Sequence, residues 1–469
     1  MKTYSQALAE FAFESFEAGL ERNRQADQVG RVLDIVGNAI AAIREEPAAI
    51  VSDSVSHQAG SGRSIAIGTG RRMSARSAAL INGTLAHALD FDDTHLPSVL
   101  HPSASVVPAA LATADRQGSS GRELLAAIAI GNEVTCRLGM AAFDPELGNS
   151  VFFEKGLHAT SICGTFGAAV AAALLLRCEA DGLADAMGIA ASMGAGLIEA
   201  NRTGGSVKRL HCGWAAHGGV TAALLAAGGM TGPPTVLEGR FGFFNALTDG
   251  YCDKDALVGD LGIRWEIDRL FYKPYPANHF THAGIDCARH LRAAGVETHR
   301  ITDIQLGVPG PVLRTIAEPA EQKAAPANPY FAKFSGPYTV AAALAGGSGL
   351  GVGALDFTDE TVSDPERLRL ASLVTCYADE RATEVFPHQF PAVLSLTLDD
   401  GSTVEHRIDH NRGGPENPLA MDELFLKFEL NSSAVASPAL IERIEAGVRS
   451  LPETEDISTL TGALEDVSR

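Results

Sequence analysis

At 469 residues the chain is long for a single hydrophobic core, so two domains are expected. Hydrophobic residues make up 46% and charged residues 20%, which excludes a disordered chain; a formal net charge of -20 excludes a phosphate-binding surface and a polybasic membrane attachment. Seven cysteines without a CxxC pair exclude a clustered iron–sulfur ligand set and suit free thiols in a reducing cytoplasm.

The N-terminal stretch alternates apolar and polar residues at helical spacing and has no uninterrupted apolar run, so it reads as a helix and not as a secretory signal. Helices are predicted over residues 5–20, 26–44, 75–92, 103–116, 121–138, 162–176, 180–201 and 212–229. The apolar run 166–176 is too short to span a bilayer. Pro102 followed by Ser103 reads as a helix start with a capping hydroxyl. The 48 glycines, with only 6% aromatics, point to helix axes that approach closely. After the breaker at 232–234 the texture changes, near Trp265. A strand is predicted over 301–308 and a hairpin over 392–399 and 403–408 around AspAspGly, with helices 338–345 and 368–377 between them. From Ala420 the pattern is helical again. The expected fold is mainly α: a large all-helical domain from residues 1–266 and 410–469, with a smaller inserted α+β lid domain at 267–409.

The densest polar cluster is residues 82–95, AsnGlyThrLeuAlaHisAlaLeuAspPheAspAspThrHis. On a helix, His87, Asp90 and Thr94 would share one face. Buried groups of this kind must be hydrogen bonded, and titratable groups so held suit acid–base work; the competing reading is a helix end with solvated acids. Asp90, Asp92, Asp93, His95 and His101 could also ligate a metal, though in no motif of defined geometry. His101 stands just before a helix start, where free N–H groups favour an anion. His158 enters a helix of small residues, with Thr160 and Ser161 available as caps, and is a candidate acid or base. LysArgLeuHisCysGly at 208–213 reads as a carboxylate clamp in which Arg209 could bind bidentately. In PheTyrLysProTyrProAlaAsnHis, 271–279, two prolines hold Lys273 and His279 on a stiff backbone.

Taken in order, these segments, with HisProSerAla, GlyLeuHisAlaThr, GlyThrPheGlyAla, ThrGlyPro, LeuGluGly and LysProTyrPro, resemble the MmgE/PrpD family over roughly residues 10–400. The resemblance implies a helical domain with an α+β lid, a homodimer, and an active site between the domains. It implies activity as a 2-methylcitrate dehydratase, a cis-aconitate decarboxylase or an iminodisuccinate epimerase, none of which needs a metal or organic cofactor. It assigns catalytic roles to His158, His101, Asp90 and Lys273 and substrate contacts to Thr94 and Lys208, with Arg209 and His279 beside them. The decarboxylase branch uses a lid tyrosine, and ValLeuArgThrIleAlaGlu at 312–318 offers none; the segment before His101 is also one residue longer than in that branch. The expectation is therefore a cytoplasmic, cofactor-free hydro-lyase acting on a small di- or tricarboxylic acid. Decarboxylation and epimerisation are the alternatives, and no metal, nucleic acid or membrane is expected as a partner.

Overall fold

The computed structural model describes residues 2–57 and 60–468. Apolar periodicity in the first half becomes helices α1 (Tyr4–Ala18), α2 (Arg22–Ala41), α3 (Glu46–Ser56), α4 (Ala75–His87), α5 (Ser103–Gln117), α6 (Gly121–Ala141), α7 (Ala159–Leu175), α8 (Ala180–Ala190) and α9 (His211–Ala227). Two compact units result: Met1–Leu270 with Leu424–Arg469, and Phe271–Glu423.

The first unit is organised around α7, which is buried along its whole length and packs against α5, α6, α8 and α9. Its alanines and glycines let neighbours approach from every side. A Cβ on Gly167 would lie 2.3 Å from the Gly131 oxygen of α6, and one on Gly164 would lie 2.7 Å from Ser105 of α5. Helices α4 and α9 meet at Gly83 and Gly213, where a Cβ on Gly83 would fall 2.8 Å from the Gly213 Cα. That close approach sets the last turn of α4, carrying His87, beside the first turn of α9, carrying His211 and Cys212.

Helix α6 is long and apolar enough to cross a membrane by length and composition, and here it is buried as a core helix. It carries an internal ion pair, Arg137 Nε to Glu133 Oε1 at 2.6 Å. Burial pushes the Glu133 carboxyl up to about 7 despite the arginine. Arg137 also donates to the carbonyls of Gly259 and Arg264, fastening the segment that follows α9.

Two helical expectations in the first unit are corrected by the structure. Helix α4 stops at His87 and does not run to residue 92, because Asp90 takes a left-handed backbone (φ 56°) and residues 88–93 leave the axis. The predicted helix 180–201 ends at Ala190, and the GlyAlaGly sequence at 194–196 runs as a loop, with Gly196 at φ 154°.

The second unit contains α10 (His282–Ala293), β1 (Ile301–Val308), α11 (Gly336–Leu344), α12 (Pro365–Ser372), β2 (Val374–Ala378), β3 (Ala392–Leu398) and β4 (Thr403–Ile408). The sheet order is β4-β3-β1-β2. β3 and β4 form the expected antiparallel hairpin, and β1 pairs antiparallel with β3. β2 runs parallel to β1, with Ile304 opposite Val374. This corrects the predicted helix 368–377: ValThrCysTyrAla is β-branched and aromatic, and pairing with β1 draws it out of the helix at Ser372. Ile285 and Val340 from α10 and α11 share the core beneath the sheet with Ile304, Leu306, Leu394 and Leu396.

The tail forms α13 (Met421–Ser432), α14 (Pro438–Arg449) and α15 (Ser458–Glu465). In the first unit, Lys427 Nζ of α13 pairs with Asp34 of α2 at 2.5 Å and donates to the Phe91 carbonyl. All seven cysteines are free thiols.

Candidate active site

In the first unit, four imidazoles gather where α4 ends and where α7 and α9 begin. The His87 ring, which closes α4, is buried, and its Nδ1 lies 2.9 Å from Asp92 Oδ2. Burial opposes its charge, but the Asp92 carboxylate and then the Cys212 sulfur outweigh that, and the ring is pushed up to about 10. The His101 Nδ1–H donates to the Asp93 carbonyl at 2.7 Å, which assigns a hydrogen to that nitrogen. Asp92 Oδ2 is 3.7 Å and Thr94 Oγ1 3.4 Å from the same Nδ1.

The loop carrying these groups is strapped down. Asp93 accepts from the Ser103 backbone N–H and hydroxyl (3.3 and 2.6 Å) and pairs with Arg31 at 3.3 Å. The carboxylate therefore satisfies the start of α5, and Ser103 does not cap it as the sequence suggested. Burial raises Asp93 to about 6, against the pull of Arg31. Thr160, expected to cap α7, instead accepts the His101 backbone N–H at 3.2 Å. These anchors hold two residues in left-handed backbone, Asp90 (φ 56°) and the β-branched Val99 (φ 52°). Such conformations cost on the order of 1–3 kcal/mol each and concentrate at working sites.

Lys208 lies on the 3-10 turn Val207–Leu210 that feeds α9, and its Nζ is 3.1 Å from Asp90 Oδ1. The next element opens with His211, whose Nδ1 is 2.9 Å from His158 Nδ1. His158 stands at the N-cap of α7 without a side-chain capping bond. Its ring centroid is 5.0 Å from that of His211 and 5.9 Å from that of His87; His87 and His101 are 5.3 Å apart. Burial first, then the positive charges of Lys208 and His87, drive His158 well below the usual imidazole range. Burial, then His87 and Lys208, push His211 down to about 4. Two neutral imidazoles therefore adjoin one that is held positive.

A nitrogen of His87, an Asp92 oxygen and Cys212 Sγ lie within 4.8 Å of one another, a donor set that borderline metals take. A metal ion there would have to displace the proton that the Asp92 carboxylate favours on the His87 ring. Of the ligand group suggested by the sequence, Asp92 and His101 stay together, 3.7 Å apart, and the other three turn to other partners. His95 turns to Ser98 (2.6 Å) and Glu266 (3.4 Å), Asp93 to Arg31, and Asp90 to Lys208. A surface cleft of about 480 Å³ lies elsewhere, beside Arg63, Arg72 and Asp115, and its Arg72 is engaged by Asp115 and Glu465.

Residues 6–254 match the MmgE/PrpD N-terminal domain and residues 275–453 the MmgE/PrpD C-terminal domain. The chain belongs to the MmgE/PrpD family. It is 32% identical over 409 residues to a cis-aconitate decarboxylase of Homo sapiens, covering 83% of this chain and 79% of that protein. The Mus musculus cis-aconitate decarboxylase is 30% identical over 402 residues (83% and 78%), and that of Aspergillus terreus 27% over 421 (84% and 82%).

In this MmgE/PrpD chain, five of the residues singled out from sequence gather in the first unit: His158, His101, Asp90, Thr94 and Lys208. Arg209 is half-buried one position further along the same turn. Lys273 and His279 belong to the second unit, where both are buried and His279 stacks on His282 with centroids 4.5 Å apart. Sequence reasoning placed Asp90 beside His87 on a helical face and so missed Asp92, the carboxylate that reaches the ring once the chain turns. It read His211 only as part of a cationic run. The usable signal was a histidine at the first turn of a glycine- and alanine-rich helix.

Proposed function

We propose that this protein is a lyase acting on a small di- or tricarboxylic acid, breaking a bond next to a carboxylate through a carbanion-like state. The observation that carries the reading is the pair of imidazoles 5.9 Å apart with opposite proton affinities, His158 neutral and His87 held positive. Neighbouring titratable groups pushed apart in this way divide base and acid roles between them. His158 takes the proton from carbon. The negative charge left behind spreads into a carboxylate, which Lys208 binds in competition with Asp90 and which the fixed charge of His87 favours. His101 acts from its doubly protonated form, which the Asp92 carboxylate 3.7 Å away favours: Nδ1–H stays on the Asp93 carbonyl, Nε2–H passes its proton to the departing hydroxyl and leaves the ring neutral, and Thr94 hydrogen bonds the substrate.

A base paired with a proton donor suits loss of water from a hydroxy acid of the 2-methylcitrate kind, and this is the first reading. The names of the three relatives above favour a second, decarboxylation of cis-aconitate, which asks for a proton donor at carbon more than for a base. Incubation with 2-methylcitrate, citrate, cis-aconitate and iminodisuccinate, followed by NMR, separates them. Olefin formation with loss of water supports the first reading, and loss of carbon dioxide from cis-aconitate the second. Solvent deuterium in recovered substrate without net loss would replace the lyase by an epimerase, and no change in any acid would overturn the proposal.

A further inference from the structure

We propose that His158 and His211 form a two-ring proton relay, with His211 a relay residue that acts through His158. This rests on the reading above, in which His158 moves the substrate proton. The two Nδ1 atoms are 2.9 Å apart and both rings are buried. Two nitrogens at that distance need one proton between them: two lone pairs would repel, and two N–H groups would collide.

A neutral imidazole carries a single N–H. If one ring places it on Nδ1, the partner accepts there and must carry its own on Nε2. The contact thus forces opposite tautomers, so that one ring presents a bare Nε2 and the other an Nε2–H. Burial and the charges of Lys208 and His87 keep the pair neutral, and His101 adds its repulsion at His158.

The surroundings fix the pair. The His158 backbone N–H donates to the Gly196 carbonyl at 2.9 Å. Ser161 Oγ donates to the carbonyls of Ala195 (2.5 Å) and His211 (3.1 Å), tying the starts of α7 and α9 to one loop. Gly196 roofs the rings, and a Cβ there would lie 3.4 Å from His211 Nδ1.

The relay balances without any oxidant or further reactant. A carbon–hydrogen bond breaks as His158 Nε2 gains the proton; the His158 Nδ1 proton passes to His211 Nδ1; His211 Nε2 releases its own to water. The tautomers are then exchanged, and a proton returning along the same path restores them.

The test uses the full chain labelled with 15N-histidine, its two signals assigned by their loss in His158→Gln and His211→Asn, together with turnover on the polycarboxylate panel. The amide of Asn reproduces the Nδ1 position and keeps the hydrogen bond to His158, yet it cannot pass a proton on. At pH 7.5 the relay requires one ring protonated on Nδ1 and the other on Nε2. It also requires kcat of His211→Asn to fall at least tenfold with KM unchanged, as low as in His211→Ala. Two rings in the same tautomer, a positively charged ring in the pair, or a wild-type kcat in His211→Asn would each overturn it. If the wild-type chain turns over none of the acids, the lyase reading fails, while the nitrogen spectrum still decides the relay.

Discussion

Asp92 stands against His87 and, at 3.7 Å, His101, and against neither member of the neutral pair, and that difference separates charges among side chains that share one chemistry. His87 is held positive by the carboxylate, whereas His158, with only cations and other rings nearby, stays neutral. Replacing Asp92 with Asn removes the charge that outweighs burial, so His87 should lose its proton near neutral pH. In Asp92→Asn, kcat/KM should fall at pH 7.5 and recover in part at lower pH, a shift readable in a pH profile. Lys208→Ala removes the carboxylate grip and should raise KM or cut kcat on the productive acid by tenfold or more, about 1.4 kcal/mol or above. Steady-state kinetics checks this, and unchanged constants would remove Lys208 from the substrate's contacts.

The site depends on how closely helices pack, and this is where the sequence was most and least informative. The long helices of the first unit were legible because apolar residues recur at three-to-four spacing, and β1 and the β3–β4 hairpin because β-branched runs flank a turn sequence. The end of α4 was not legible. Nothing local in AlaLeuAspPheAspAsp announces a left-handed Asp90; that backbone is held by contacts of its neighbours with Arg31, Ser103 and Thr160, residues distant in the chain. Strand β2 was missed for the same kind of reason, since its pairing with β1 decides its state. Packing at the meeting of α4 and α9 gives a direct prediction. Gly83→Ala puts a methyl 2.8 Å from the Gly213 Cα and should lower unfolding free energy by about 1–3 kcal/mol in a urea titration. Because that contact also sets His87 beside Cys212 at the start of α9, activity should drop at temperatures where the variant is still folded.

Over the whole molecule, the two kinds of buried histidine shape stability in opposite directions. His211 titrates near 6.5 when unfolded and near 4 when folded, so its contribution is present above pH 6.5 and is lost as pH falls through 4. His87 rises to about 10, so its contribution is complete below pH 6.5 and is lost as pH climbs through 10. Urea unfolding across pH 4 to 10 should therefore show stability declining on both sides of an optimum near 6.5, and Asp92→Asn should flatten the alkaline side. The net charge of -20 repels anions at long range, so recognition of a polycarboxylate falls to local cations such as Lys208. The role of His158 as the base at carbon is read in D2O by proton NMR of a polycarboxylate substrate, comparing wild type with His158→Gln. Elimination or deuterium exchange beside the carboxylate is expected in wild type, slowed by about 10²–10⁴ in the variant, with the unfolding midpoint retained. Equal rates in the two folded proteins would contradict it.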